Sequence, residues 1–172
     1  DSIEISFTKN QDLNSLPANF DNSKNNILIL NSSEDEMKVI EEFHTDLYST
    51  QNEAINKIAS YFEGNKDIHF YLRIHPNLGK VKNIQIEEIE QMNYSNLTII
   101  GPNELIDTYA IIDACEKSIV FGSTSGIEAT YWGNCSILLG KSFYYYLEDT
   151  CYKPNSYEDL YSLISTKDLA PK

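Results

Sequence analysis

The segment Phe121-Gly122-Ser123-Thr124-Ser125-Gly126-Ile127-Glu128-Ala129 carries the clearest chemistry in the chain. An apolar run from Ser118 to Phe121 stops at a loop of Gly, Ser and Thr, which leads directly into an expected first helical turn. A strand, a small-residue loop and a helix start together make an anion site. Backbone N–H groups point outward, the helix dipole favours negative charge, and hydroxyls add short donors. Gly122 and Gly126 permit tight backbone geometry, and Ser123, Thr124 and Ser125 could all reach one phosphate. A helix cap also recruits Ser or Thr, but it needs one hydroxyl rather than three. The Gly-Lys-Ser/Thr ending of a P-loop is absent.

A second anion-site candidate, Arg73-Ile74-His75-Pro76-Asn77, ends another expected strand. Pro76 fixes the turn and biases His75 towards an extended conformation, which aims its imidazole along the sheet edge. That ring can donate to a phosphate, and Arg73 adds positive charge if its side chain curls upward. A plain strand-ending turn with a surface histidine is the simpler alternative. Three further positions lie near these loops. Glu128 either accepts ribose hydroxyls or answers the helix dipole. Lys141 either neutralises a phosphate or sugar acid, or is a solvated loop lysine. The Tyr144-Tyr145-Tyr146 run either stacks on a base or packs under a long loop.

The elements that must position these residues follow from the apolar pattern. Residues 1–26 are rich in Asn, Asp and Ser and read as a linker or interdomain segment; residues 27–172 read as one Rossmann-like domain. Ile27-Leu28-Ile29-Leu30 is a continuous apolar run, as in a strand buried on both faces, and Asn31 to Glu36 is a polar loop. Thr50 with Glu53 fits a capping box ahead of Ile55, Ile58, Ala59 and Phe62, and Gly64 ends that helix. Ile68 to Ile74 alternates as a second strand closed by Pro76. Residues 80–92 are weakly helical, with Val81, Ile84, Ile89 and Met92 roughly on one side. Leu97 to Ile100 is a third strand, and Leu105, Tyr109 and Ile112 mark a helix. Ser118 to Phe121, a helix over 126–132, and a strand from Ser136 to Leu139 follow. Ser156 with Asp159 caps a last helix. This alternation predicts a Rossmann-like α/β fold, a doubly wound parallel sheet with helices on both faces. Ligands of such sheets bind outside the strand C-termini, where both anion loops lie.

Composition narrows the function further. The chain has 172 residues, enough for one domain with a proper core. Its net charge of −13 argues against a nucleic-acid or anionic-lipid surface, so an anionic ligand must be gripped locally. Cys115, Cys135 and Cys151 are widely spaced and include no Cys-x-x-Cys pair, which argues against zinc or a redox dithiol and suits a reducing cytoplasm. The acidic clusters Glu34-Asp35-Glu36 and Glu87-Glu88-Ile89-Glu90 read as solvated charge, and no metal is expected. No apolar run is long enough to span a membrane and no signal peptide is visible. The chain opens on Asp1, as expected of a processed product or an excised piece.

From Ile27 to Ile164 the chain resembles the nucleotide-sugar-binding C-terminal domain of GT-B glycosyltransferases from bacterial surface-polysaccharide pathways, capsule polysaccharide biosynthesis proteins above all. The likeness rests on Gln51-Asn52-Glu53-Ala54-Ile55, Arg73 to Gly79, Gly122 to Ala129, Tyr131-Trp132-Gly133, Ile137 to Gly140 and Lys141 to Tyr144. A His-Pro motif with a later Ser/Thr motif is also similar to bacterial sialyltransferases. The resemblance implies a two-lobed enzyme whose donor, a CMP-, CDP- or UDP-linked sugar, lies on this lobe without a further cofactor. His75, Ser123, Thr124 and Ser125 would hold the donor phosphate, with Arg73, Pro76, Asn77, Gly122, Gly126 and Lys141 around it and Glu128 near the ribose. His75 would also be the catalytic candidate, as hydrogen-bond donor or proton source to the leaving phosphate. The expected partners are an N-terminal acceptor-binding lobe and a polysaccharide or lipid-linked acceptor. The expected setting is the cytoplasm, or the inner face of the membrane through other parts of the protein. Lacking an N-terminal lobe, this chain alone would bind donor rather than transfer sugar. Two alternatives stand: a UDP-sugar 2-epimerase-like isomerase, whose usual paired carboxylates are here Glu128-Ala129, and a non-catalytic sugar-nucleotide module.

Overall fold

The apolar runs become strands. The computed structural model describes residues 11–34, 40, 43, 45–80 and 84–172. Residues 1–10, Asp35, Glu36 and Val81 of the segments read above lie outside them. The strands are β1 (Asn25–Leu30), β2 (Ile68–Arg73), β3 (Leu97–Ile100), β4 (Lys117–Val120) and β5 (Cys135–Leu138). All pair in parallel, in the order β3-β2-β1-β4-β5.

Alternation along each strand sends successive side chains to opposite faces, and both faces are covered. Ile27, Ile29, Phe70, Leu72, Ile119 and Ile137 join one core with Ala54, Ile55 and Ile58 of α1 (Gln51–Tyr61), Ile89 of α2 (Ile84–Glu90), and Leu160 and Ile164 of α5 (Tyr157–Ser165). Leu28, Leu30, Tyr71, Val120 and Leu138 join the other with Ile111 and Ile112 of α3 (Thr108–Ala114) and Ala129 of α4 (Ser125–Tyr131). The helices joining β1 to β2 and β2 to β3 thus cover one face, and those leading into and out of β4 cover the other. This is the doubly wound arrangement, and its winding reverses between β1 and β4.

Local sequence chemistry sets the helix ends. Thr50 Oγ1 accepts the Glu53 N–H at 3.1 Å, and the Glu53 carboxylate reaches back to the Ser49 N–H at 3.0 Å, one residue earlier than a standard capping box. Ser156 caps α5 by accepting the Asp159 N–H. Two helical expectations are corrected. Leu105 precedes α3 and is exposed; Asp107 caps the helix, and the buried positions are Ile106, Ile111 and Ile112. Their near-helical spacing makes Leu105, Tyr109 and Ile112 look like one face, but the chain turns helical only after Asp107. Ile84 is likewise exposed, because α2 buries Gln85 and Ile89, one turn apart, instead.

Residues 11–24 run over the α3 side. Asp12 N–H donates to Leu105 O, Asp107 N–H to Ser15 O, and the Phe20 ring stacks on Tyr71 at 4.9 Å. All three cysteines are free and buried. Among the described residues, no helix is long and apolar enough to cross a membrane.

Candidate functional site

The sheet register brings the two anion loops to one edge. Leu30 of β1 pairs with Arg73 on one side and with Val120 on the other. The chains leaving β2 and β4 therefore start about 10 Å apart, two inter-strand spacings, with the end of β1 between them.

On the β2 side, the turn predicted at Pro76 is a 3₁₀ turn over Pro76–Lys80. The Asn77 N–H donates to His75 Nδ1 at 3.2 Å. An accepting Nδ1 puts the proton of a neutral imidazole on Nε2, so the turn selects one tautomer. The backbone N–H of His75 donates to Asn31 Oδ1 at 2.8 Å, which ties this turn to the end of β1. Arg73 does not curl upward. It is only 3% exposed, and its Nη atoms donate to Gly101 O at 2.8 Å and Glu104 O at 2.9 Å. Burial holds its pKa below the usual arginine value, and Glu104 opposes that shift. Among the described residues no carboxylate pairs with it directly, so the chain's single arginine is a buried cation beneath the His75 turn.

On the β4 side, Gly122 takes φ = 122°, a conformation open to glycine but not to other residues without strain. Gly126 lets α4 lie close on the sheet: a Cβ there would meet Val120 Cγ2 and Tyr144 Oη, each at 2.7 Å. The hydroxyl loop is closed by short-range bonds. Ser123 Oγ donates to Ser125 Oγ at 3.1 Å, Ser125 N–H to Ser123 Oγ at 3.3 Å, and Gly126 N–H to Ser123 O at 3.2 Å. Tyr144 Oη also donates to Ser123 O, so the first residue of the tyrosine run packs beneath the loop. Burial raises the Tyr144 phenol pKa, which keeps this donor protonated. Thr124 is exposed and its side chain makes no cap bond.

Of the remaining candidates, Lys141 is half-buried and its ammonium has no partner among the described residues. The Glu128 carboxylate accepts the Tyr109 hydroxyl at 3.1 Å, and Tyr109 packs edge-on against Trp132. The Gly101 turn is internally satisfied: its N–H donates to Glu104 Oε1 and its carbonyl accepts from Arg73. No group of three His, Cys, Asp or Glu side chains among the described residues is placed to hold a metal ion.

Two features went unread in the sequence. Asn31, seen only as the start of a polar loop, stands between the two anion loops. A cavity of about 860 Å³ also opens at this edge, lined by Glu34, Tyr48, Gln51, Lys57 and Phe121 among others. Phe121 immediately precedes the hydroxyl loop, so the cavity and the loop adjoin. An Asn directly after a fully buried parallel strand was the available signal for the first. For the second there was none, because much of its wall comes from Phe43 and from residues 45–57, which fold back over the edge.

No protein-family model matches the chain, and no curated protein does. Among solved structures, KpsC of Thermosulfurimonas dismutans, a β-Kdo 2,4-transferase, is similar with a TM-score of 0.54 at 15% identity, over 83% of this chain and 42% of that one. This chain therefore spans less than half of that transferase's length. At such identity the likeness speaks to backbone arrangement. The chain has a Rossmann-like α/β fold, a five-stranded parallel sheet of the kind found in a glycosyltransferase lobe.

Proposed function

We propose that this chain is the donor-binding lobe of a glycosyltransferase of bacterial capsule or surface-polysaccharide synthesis, holding a nucleotide sugar at the β1–β4 switch point. The observation that carries the reading is the sheet register. It sets the His75 turn and the Ser123–Ser125 loop on the two strands flanking β1, at the edge where doubly wound sheets take ligands.

His75 donates from Nε2 to the donor phosphate, with its tautomer held by Asn77. Ser123, Thr124 and Ser125 donate from the other side, and Lys141 supplies charge. Arg73 acts from beneath, bracing the turn and adding positive potential in a strongly acidic protein. The sugar or base occupies the adjoining cavity, whose volume suits a small-molecule site. During transfer the acceptor oxygen bonds to the anomeric carbon as the bond from that carbon to the phosphate oxygen breaks. Donors already fixed around that oxygen stabilise the charge it gains. The acceptor's proton leaves to a base on another lobe. Glu128 is engaged by Tyr109, and Ala129 is fully buried where an epimerase would be expected to carry a second carboxylate, so the isomerase alternative finds no support here.

Calorimetric titration with CMP, CDP, UDP and GDP tests the reading. At least one should bind, and the Ser123→Ala/Ser125→Ala double variant should weaken it roughly tenfold while still folding cooperatively. Unchanged affinity in the folded double variant would remove the hydroxyl loop from the site.

A further inference from the structure

Among the described residues, the buried side-chain nitrogens without a hydrogen-bond partner are Nδ2 of Asn31 and Nε of Arg73. Arg73 ends β2 opposite Leu30, and Asn31 is the residue that follows Leu30, one position further along. Asn31 is 2% exposed, and buried donors are nearly always answered. Its amide orientation is settled, because Oδ1 accepts the His75 N–H and a flipped amide would set donor against donor. The two branches of a planar amide diverge, so Nδ2 faces away from that N–H.

The backbone beyond Asn31 cannot swing to relieve the donor. Ser32 N–H donates to Gln51 Oε1 at 2.8 Å, and Ser32 O accepts Gln85 Nε2 at 3.0 Å. Gln51 is in turn fixed by its own N–H, which donates to Glu34 Oε1 at 2.6 Å, and Glu34 N–H reaches Gln85 Oε1 at 3.2 Å. Gln51 and Gln85 are both buried. The result is a rigid clamp from α1 and α2 on the residue after Asn31, with one side-chain donor left over at the ligand edge. Such a donor is oriented before any ligand arrives, and being buried it meets one once the groups over it move aside.

We infer that Asn31 is itself a ligand contact, donating from Nδ2 to an anionic oxygen of the phosphate held between the His75 turn and the hydroxyl loop. This rests on the donor-binding reading above and adds a residue to it. Gln51 and Gln85 are positioning residues that act through the Ser32 backbone.

Asn31→Asp tests the assignment. The new carboxylate still accepts the His75 N–H, but it loses the second donor and opposes an anion. With CMP, CDP, UDP and inorganic pyrophosphate as probes, the variant should bind roughly tenfold or more weakly than the unaltered chain. In case the variant fails to fold, side-chain amide NMR of the unaltered, asparagine-labelled chain gives an independent readout. The Asn31 NH₂ pair should shift on adding the probe that binds, while those of Asn26 and Asn96 stay in place. If the unaltered chain binds none of the probes, the donor-binding reading and this inference both fall. If it binds one, and either Asn31→Asp binds equally well or the Asn31 NH₂ signals do not move, then the donor takes no part in binding. In that case this inference alone is overturned.

Discussion

The two loops at the ligand edge are built in opposite ways. The His75 turn is held by bonds distant in sequence: its N–H goes to Asn31, and the arginine beneath it grips Gly101 and Glu104. The turn is also pressed against the loop after β3, since a Cβ at Gly79 would meet Pro102 Cγ at 2.9 Å. The hydroxyl loop is held by its own neighbours, Ser123 to Ser125 and Gly126 to Ser123, with Tyr144 as its distant prop. The first is a brace between strands and the second a self-closed turn. A brace fixes where a group sits relative to the whole sheet. A self-closed turn fixes its own shape and takes its place from the strand that precedes it. On the proposed donor-binding reading, the two loops would meet one phosphate from a rigid side and a more adjustable side.

The brace should be the costlier to break. Arg73→Ala removes two charge-assisted bonds and leaves the Glu104 carbonyl without its donor, while Gly101 O keeps the Glu104 N–H, so it should cost about 3 kcal/mol in urea unfolding. A loss under about 1 kcal/mol would mean that the loops after β2 and β3 hold each other without it. On the other side, Gly126→Ala forces a methyl into contact with Val120 and Tyr144 and should cost about 2 kcal/mol. Here the damage should stay local: slowed-exchange amides near His75 should keep their protection, and only those of α4 and the hydroxyl loop should lose it. Loss around His75 as well would show that the two sides move together.

The smallest effect is one of pH, and it also separates the sides. Burial raises the Cys135 thiol from 9.0 to about 11 and raises the Tyr144 phenol too, and both belong to the hydroxyl side. These acids hold their protons longer in the folded chain than in the unfolded one. Their contribution is therefore complete below pH 9 and is lost progressively as pH climbs towards 11 and beyond. The thermal midpoint should fall in that window, and Cys135→Ala should flatten part of the fall. A midpoint that stays level from pH 9 to 11 would contradict the burial of these groups.

The same division explains what could be read from the sequence. Ile27 to Leu30 announced itself as a continuous apolar run because a parallel strand covered on both faces admits little else, Ile68 to Ile74 by its alternation, and the Thr50 and Ser156 caps were legible because a cap is made within one turn. The hydroxyl loop was legible for that reason too: glycines, hydroxyls and their bonds lie within a few residues. The brace was not. Nothing near Arg73 shows that its partners are carbonyls at 101 and 104, so its charge read as available to a ligand. Asn31 meets His75 across forty-four positions. Gln51 stood out only as part of a family-like motif and Gln85 not at all, since only the packing of α1 against α2 turns them inward. Leu105 was misplaced for a related reason, because spacing alone cannot tell a residue before a cap from one after it.

The bridge between Ile137 and Tyr152 deserves a last thought. Tyr152 N–H donates to Ser136 O, and Leu138 N–H donates to Tyr152 O, so the return of the chain occupies the outer side of β5. Without that return, a fully buried four-residue strand would present bare hydrogen-bonding groups to its surroundings. A shortened version ending before Cys151 would gain an adhesive rim and at the same time lose Leu160 and Ile164 from the core, so misfolding and self-association would arrive together.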